Sequence, residues 1–222
     1  MVGERSALGR AHPDWLVRGV TAGRLHNEVQ HVLDVTVPAA ARYLCGLLES
    51  LREQGFDFFT LELLYAGALD GDRAEGQPGG RAYRRGMALI RNAVGPGAYL
   101  VGRAAPMLPS IGWVDAMQVA PDVRPAPETD GRVPAGGGNR RAAMRCGIAR
   151  AWQHGRFWIN DSGCLLTAPG VERREEWAKH VETYGGLRCT GDRLRSLDSW
   201  GLETTRRLLS DVPPPEAGAL GW

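Results

Sequence analysis

Gly55-Phe-Asp-Phe-Phe-Thr-Leu-Glu-Leu-Leu-Tyr-Ala-Gly67 holds an apolar run of strand length, Phe56 to Leu64, with a carboxylate, Glu62, near its end. It is apolar enough to predict a strand buried on both faces. Two similar segments follow it. Val114-Asp-Ala-Met-Gln-Val-Ala-Pro-Asp122 ends on Asp122, and Phe157-Trp-Ile-Asn-Asp-Ser-Gly163 carries Asp161. Helical spacing fills the intervals, and strands that alternate with helices predict a parallel sheet or an α/β barrel. In a barrel the chemistry sits at the C-terminal ends of the strands, where these carboxylates fall. Two carboxylates facing each other across such a mouth are the minimal equipment for cutting a glycosidic bond.

The rest of the chain fits around these segments. Residues up to Asn27 read as loop, with Trp15 and Leu16 as apolar anchors, and Val29 to Val35 as a strand. Pro38 opens a helix whose apolar residues, Leu44, Leu47, Leu48 and Leu51, recur at helical spacing. A Gly- and Asp-rich loop from Asp70 to Gly80 precedes a helix over 83–94, ended by Gly95-Pro96. Further strands are expected over 98–104 and 114–119, with a long Pro- and Gly-rich loop or lid over 121–139. Helix over 140–154, strand over 157–160, helix over 172–183 and a short strand over 187–190 come next. A final helix over 192–209 would be capped by Asp192 and stopped by Pro213-Pro-Pro215.

Composition narrows the function. The chain has 222 residues, enough for one domain with a sizeable core, and its apolar share of 43% is ordinary. A net charge of +2 gives no reason to invoke nucleic acid, and the arginine pairs lack the interleaved aromatics that stack bases. No apolar run approaches the roughly 18 residues of a membrane span, and the N-terminus lacks a signal-peptide core. A cytoplasmic chain is expected. Cys45, Cys146, Cys164 and Cys189 are widely spread with no CxxC pair, which predicts buried, reduced thiols. Gly136-Gly-Gly138 lacks the flanking strand, helix and lysine of a phosphate loop and reads as linker.

Several blocks together resemble the barrel of α-galactosidases of glycoside hydrolase family 36, in the clan shared with family 27. They are His12-Pro-Asp-Trp15, Leu33-Asp-Val-Thr36, the Gly55–Gly67 run, Leu108-Pro-Ser-Ile-Gly112, Val114-Asp-Ala-Met117, Ala149-Arg-Ala-Trp-Gln-His-Gly155, Asn160-Asp161 with Cys164-Leu165-Leu166, and Trp200-Gly-Leu-Glu203. The resemblance runs from about His12 to Pro214. It implies a partial (β/α)8 TIM barrel of about six strand–helix units, with the first two strands absent. The whole chain, 1–222, is then one incomplete catalytic-barrel domain: an N-terminal loop over 1–27, barrel units over 28–211 and a tail over 212–222. The implied activity is hydrolysis of terminal α-galactosides with retention. A carbohydrate partner is implied, without nucleic acid, membrane, metal or cofactor. Open barrel edges, near Val32 and Cys189, predict self-association.

The same resemblance assigns the site and marks its departures. Glu62 stands where relatives carry the nucleophilic Asp of a Lys-x-Asp motif, and Thr60 replaces the lysine. The extra methylene moves the carboxylate by about 1 Å, a costly displacement in a preorganised site. Asp122 matches the general acid/base, but the arginine four residues before it is Gln118, a neutral donor. Asp161 matches the first Asp of Asn-Asp-Pro-Asp, while the second, a substrate-contacting residue in relatives, is Gly163. Arg103 puts a bulky cation where relatives have cysteine. Each carboxylate also has a plain structural reading: Glu62 as a vestige at a strand end, Asp122 as a turn residue after Pro121, Asp161 as a hydrogen-bonding residue beneath the strand, and Asp34 as a turn residue. Thr60, Glu62, Gln118, Gly163 and Arg103 together favour an inactive or strongly weakened enzyme, at most a weak carbohydrate-binding or structural remnant.

Overall fold

A computed structural model describes residues 1–124 and 139–210. The lid or linker expected within 121–139, the tail over 212–222 and the Pro213–Pro215 stop lie wholly or mostly outside those residues. The chain forms two compact units, Met1–Asp115 and Ala116–Trp222.

In the first unit, strand β4 (Phe58–Leu61) pairs in parallel with β5 (Tyr99–Gly102). Helix α2 (Pro38–Glu53) precedes β4, and α3 (Gly79–Val94) connects it to β5. Proline at the first position of α2 costs nothing, because that N–H has no intrahelical partner anyway. Helix α2 buries Ala40, Ala41 and Leu48, while Leu47 is exposed. Helix α3 starts where the Gly79 amide donates to Asp70 Oδ1 at 3.0 Å. A Cβ on Gly79 would stand 2.2 Å from the Ala68 carbonyl oxygen, so only glycine fits that start. Strand β4 departs from expectation. Phe59 is buried, but Phe58 is 52% exposed, so the strand alternates rather than burying both faces.

The N-terminal stretch carries more regular structure than a loop. It holds β1 (Val2–Gly3), α1 (Ala7–Ala11), a short 3₁₀ turn at Pro13–Trp15 and β2 (Arg24–Leu25). Residues expected as a parallel barrel strand give β3 (Glu28–His31), which pairs antiparallel with β1 on one side and β2 on the other. The reason is local. His26 and Asn27 both adopt positive φ, at 48° and 64°, so two residues turn β2 tightly into β3. Val32 is therefore not an open edge: its carbonyl accepts from the Val17 amide at 2.9 Å.

In the second unit, β6 (Ala116–Gln118) runs parallel to β7 (Ile159–Asp161), with α5 (Arg140–Ala149) between them. Helices α6 (Arg174–Tyr184) and α7 (Ser199–Ser210) follow. Leu165, Leu166, Trp177, Val181 and Leu208 form a continuous buried core, each large side chain contributing about 1.5–3 kcal/mol. The short strand expected at 187–190 is reduced to a parallel bridge between Leu165 and Thr190. The last helix starts at Ser199, capped by Asp198, whose Oδ1 accepts from the Gly201 amide at 2.8 Å. Asp192 is not its cap. It accepts from the amides of Thr167 and Ala168 and so ties down the chain after β7.

The architecture is α/β, with parallel strands and intervening helices in the arrangement of a partial barrel. Among the described residues no helix is long and apolar enough to cross a membrane.

Candidate functional site

At the end of β4 in the first unit, the parallel register runs from Phe58 opposite Tyr99 to Leu61 opposite Gly102. One step further it sets Glu62 beside Arg103. The Arg103 amide donates to the Leu61 carbonyl at 2.9 Å and the Leu64 amide donates to the Arg103 carbonyl at 3.2 Å, so both backbones are fixed. The guanidinium Nη1 then lies 3.3 Å from Glu62 Oε1. The two side chains are 27% and 53% exposed, so the pair is partly solvated and is worth at most about 1 kcal/mol. Thr60 points to the same side of β4 as Glu62 by strand alternation and is exposed. Leu63, at φ 55°, turns the chain sharply after Glu62.

At the ends of β6 and β7 in the second unit, Gln118 and Asp161 are register partners. Gln118 Nε2 donates to the exposed Asp122 carboxylate at 2.7 Å. Asp122 thus receives a neutral amide rather than a charged donor. Asp161 is buried, and its Oδ1 accepts from the Gly163 amide at 2.9 Å. That bond holds a turn in which Gly163 takes φ 115°, a conformation L side chains rarely adopt. The structural reading of Asp161 therefore has a concrete bond behind it. Asp34 has one too: in the first unit it is buried, with Oδ1 accepting from Thr36 N and Oγ1 at 2.9 and 2.6 Å and Oδ2 from the Ala74 amide at 2.8 Å.

Sequence reasoning missed the pairing of Arg103 with Glu62. The signal was present in the strand register, one residue beyond the last apolar pair of β4 and β5. The four cysteines are all free, but none is fully buried: Cys45, Cys146 and Cys164 are half-buried and Cys189 is exposed. Burial, with Cys189 nearby, pushes the Cys164 thiol up to about 11, so it is protonated at neutral pH. Among the described residues no group of three or more His, Cys, Asp or Glu is placed to hold a metal ion.

No family model matches the chain. Solved structures do. The α-galactosidase from Thermus thermophilus in complex with stachyose is 27% identical, with a TM-score of 0.81 over 94% of this chain and 47% of that one. The same enzyme in complex with p-nitrophenyl α-D-galactopyranoside gives 27% identity and a TM-score of 0.82, covering 96% of this chain and 46% of that one. The α-galactosidase I from Mortierella vinacea shares the fold at 14% identity and a TM-score of 0.52, over 81% of this chain and 47% of that one. The chain thus spans about half the length of these relatives. By fold, and by its similarity to the Thermus enzyme, the chain is an α-galactosidase-like partial TIM barrel, with a glycoside hydrolase-like fold.

Proposed function

We propose that this chain is an α-galactosidase-like domain that recognises α-galactosides weakly and has lost most of their hydrolysis. In the retaining mechanism, the position of Glu62 supplies the nucleophile that forms a glycosyl-enzyme. The position of Asp122 protonates the leaving oxygen and later activates water. The observation that carries the reading is the ion pair of Glu62 with Arg103 at 3.3 Å. A carboxylate that is displaced by a methylene and held by a bulky guanidinium is a poor nucleophile, because its lone pairs already face a cation. The neutral contact from Gln118 to Asp122 and the missing carboxylate at Gly163 weaken the same reaction from other positions. The ligands of the Thermus enzyme, stachyose and p-nitrophenyl α-D-galactopyranoside, indicate the substrate class to try.

The test is release of p-nitrophenol from p-nitrophenyl α-D-galactopyranoside, alongside stachyose binding by calorimetry. Weak stachyose binding with no release above buffer is expected. Turnover that disappears in Glu62→Gln would overturn the loss of hydrolysis. One observation favours a second reading: Arg103 restores, from the neighbouring strand, the cation that Thr60 removes. Turnover that falls in Arg103→Ala as well as in Glu62→Gln would establish a rewired, slow hydrolase.

A further inference from the structure

In the second unit, the chain after β7 runs beside the segment that leads to Asp192. Leu165 and Thr190 form a parallel bridge. The Leu165 amide donates to the Cys189 carbonyl at 2.7 Å, and the Gly191 amide donates to the Leu165 carbonyl at 3.0 Å. These bonds set the register, one step back from which Cys164 neighbours Cys189. Register neighbours on parallel strands project to the same side. The surroundings of Gly191 agree: a Cβ there would stand 2.7 Å from Cys164 Sγ and 3.2 Å from Leu166 Cδ2. Positions 189 and 191 share a face by alternation, so the Cys164 thiol lies on the face that carries Cys189.

The separation suits a covalent bond. Neighbouring strands lie about 4.8 Å apart, inside the roughly 4.4–6.8 Å between Cα atoms that a disulfide spans. The two thiols differ in reach. Cys189 is exposed, whereas Cys164 is half-buried and packs against the core of this unit. Burial first, then the nearby Cys189 and Asp161, hold the Cys164 thiol at about 11. A protonated, half-buried thiol is slow to attack a reagent from solution, so the exposed one reacts first.

We propose that Cys164 and Cys189 are a dithiol site that a low-molecular-weight disulfide of the glutathione class converts into an intrachain disulfide. The Cys189 thiolate attacks one sulfur of the reagent, the reagent's S–S bond breaks, and one thiol leaves. Cys164 then yields its proton to solvent and attacks Cys189 Sγ in the mixed disulfide, which releases the second thiol. The two cysteines lose two electrons, and the reagent is reduced to two thiols. The new bond would join the turn held by Asp161 and Gly163 to the segment whose Asp192 accepts from the Thr167 and Ala168 amides. A crossing held by hydrogen bonds thereby becomes covalent, in response to the thiol–disulfide balance around the protein. Neither Glu62 nor Asp122 takes part, so the site is independent of the hydrolase reading.

The folded chain is incubated with oxidised glutathione, alkylated, digested with trypsin and read by mass spectrometry. With reduced glutathione held near 0.1 mM, the Cys164–Cys189 link should exceed the glutathione adduct at Cys189 by at least about tenfold, because a neighbouring thiol acts at millimolar effective concentration or more. The adduct should instead persist in Cys164→Ser. In Cys189→Ser, a change at an exposed position, Cys164 should stay reduced. Should Cys164→Ser not fold, Cys189→Ser and the ratio in the unaltered chain decide alone. An adduct that dominates in the unaltered chain, a link to Cys45 or Cys146 or between two chains in its place, ready modification of Cys164 in Cys189→Ser, or a Cys164–Cys189 link that forms only after unfolding in urea each overturns the proposal.

Discussion

A Cβ placed on Gly163 would stand 3.1 Å from Cζ2 of Trp177. The indole cannot easily yield, because its Nε1 donates to the Cys164 carbonyl at 2.9 Å and its ring belongs to the core of the second unit. Glycine at position 163 is thus built into this fold rather than an indifferent choice. Gly163→Asp should lose about 2–3 kcal/mol, combining positive-φ strain with the steric conflict. Urea unfolding monitored by tryptophan fluorescence measures this, and an unchanged midpoint would show that the turn can re-form around a side chain.

The pairing of Glu62 with Arg103 should contribute little to stability. A double-mutant cycle of Glu62→Gln and Arg103→Ala should give a coupling energy below about 1 kcal/mol, shrinking further in 1 M salt. A coupling of several kcal/mol would mean that the pair is desolvated in solution.

Asp192 should matter more than any candidate catalytic carboxylate. It accepts from the Thr167 and Ala168 amides and, at 3.2 Å, from Thr167 Oγ1. Asp192→Ala leaves these donors without their acceptor and should cost about 1–3 kcal/mol. Thermal unfolding followed by circular dichroism tests this against Glu62→Gln, which should be near neutral.

His180 makes stability depend on pH. It is buried against Trp177 and Tyr184, and neither ring nitrogen has a hydrogen-bond partner. Burial lowers its pKa below the usual histidine value of 6.5. The unfolded chain therefore takes up the proton first. Stability is unaffected well above pH 6.5 and falls as pH drops below it, until the folded form also protonates. His180→Phe should flatten that slope below pH 6.5 and leave stability well above it unchanged or raised. An identical slope in the variant would locate the titration elsewhere.

The repeating part of the architecture was legible in the sequence. Parallel strands joined by amphipathic helices write a pattern that survives in residues such as Pro38, Leu48 and Gly95. What escaped the sequence depends on partners distant along the chain. The antiparallel pairing of β3 hangs on positive φ at His26 and Asn27, a turn without the glycine that usually announces it. Asp192 looked like a helix cap because it stands near a helical stretch, but its oxygens turn back to Thr167, 25 residues earlier. The exposure of Phe58 was likewise hidden, since an unbroken apolar run does not say which of its faces is covered.

Strand β3 lies between β1 and β2, each of which fills part of one of its two rows of backbone groups. A strand so flanked offers a poor template for cross-β growth, because an incoming chain would first have to displace a neighbour that is already bonded. Growth on this small sheet would have to start at its two-residue outer strands, β1 and β2, which are too short to template much of a new strand.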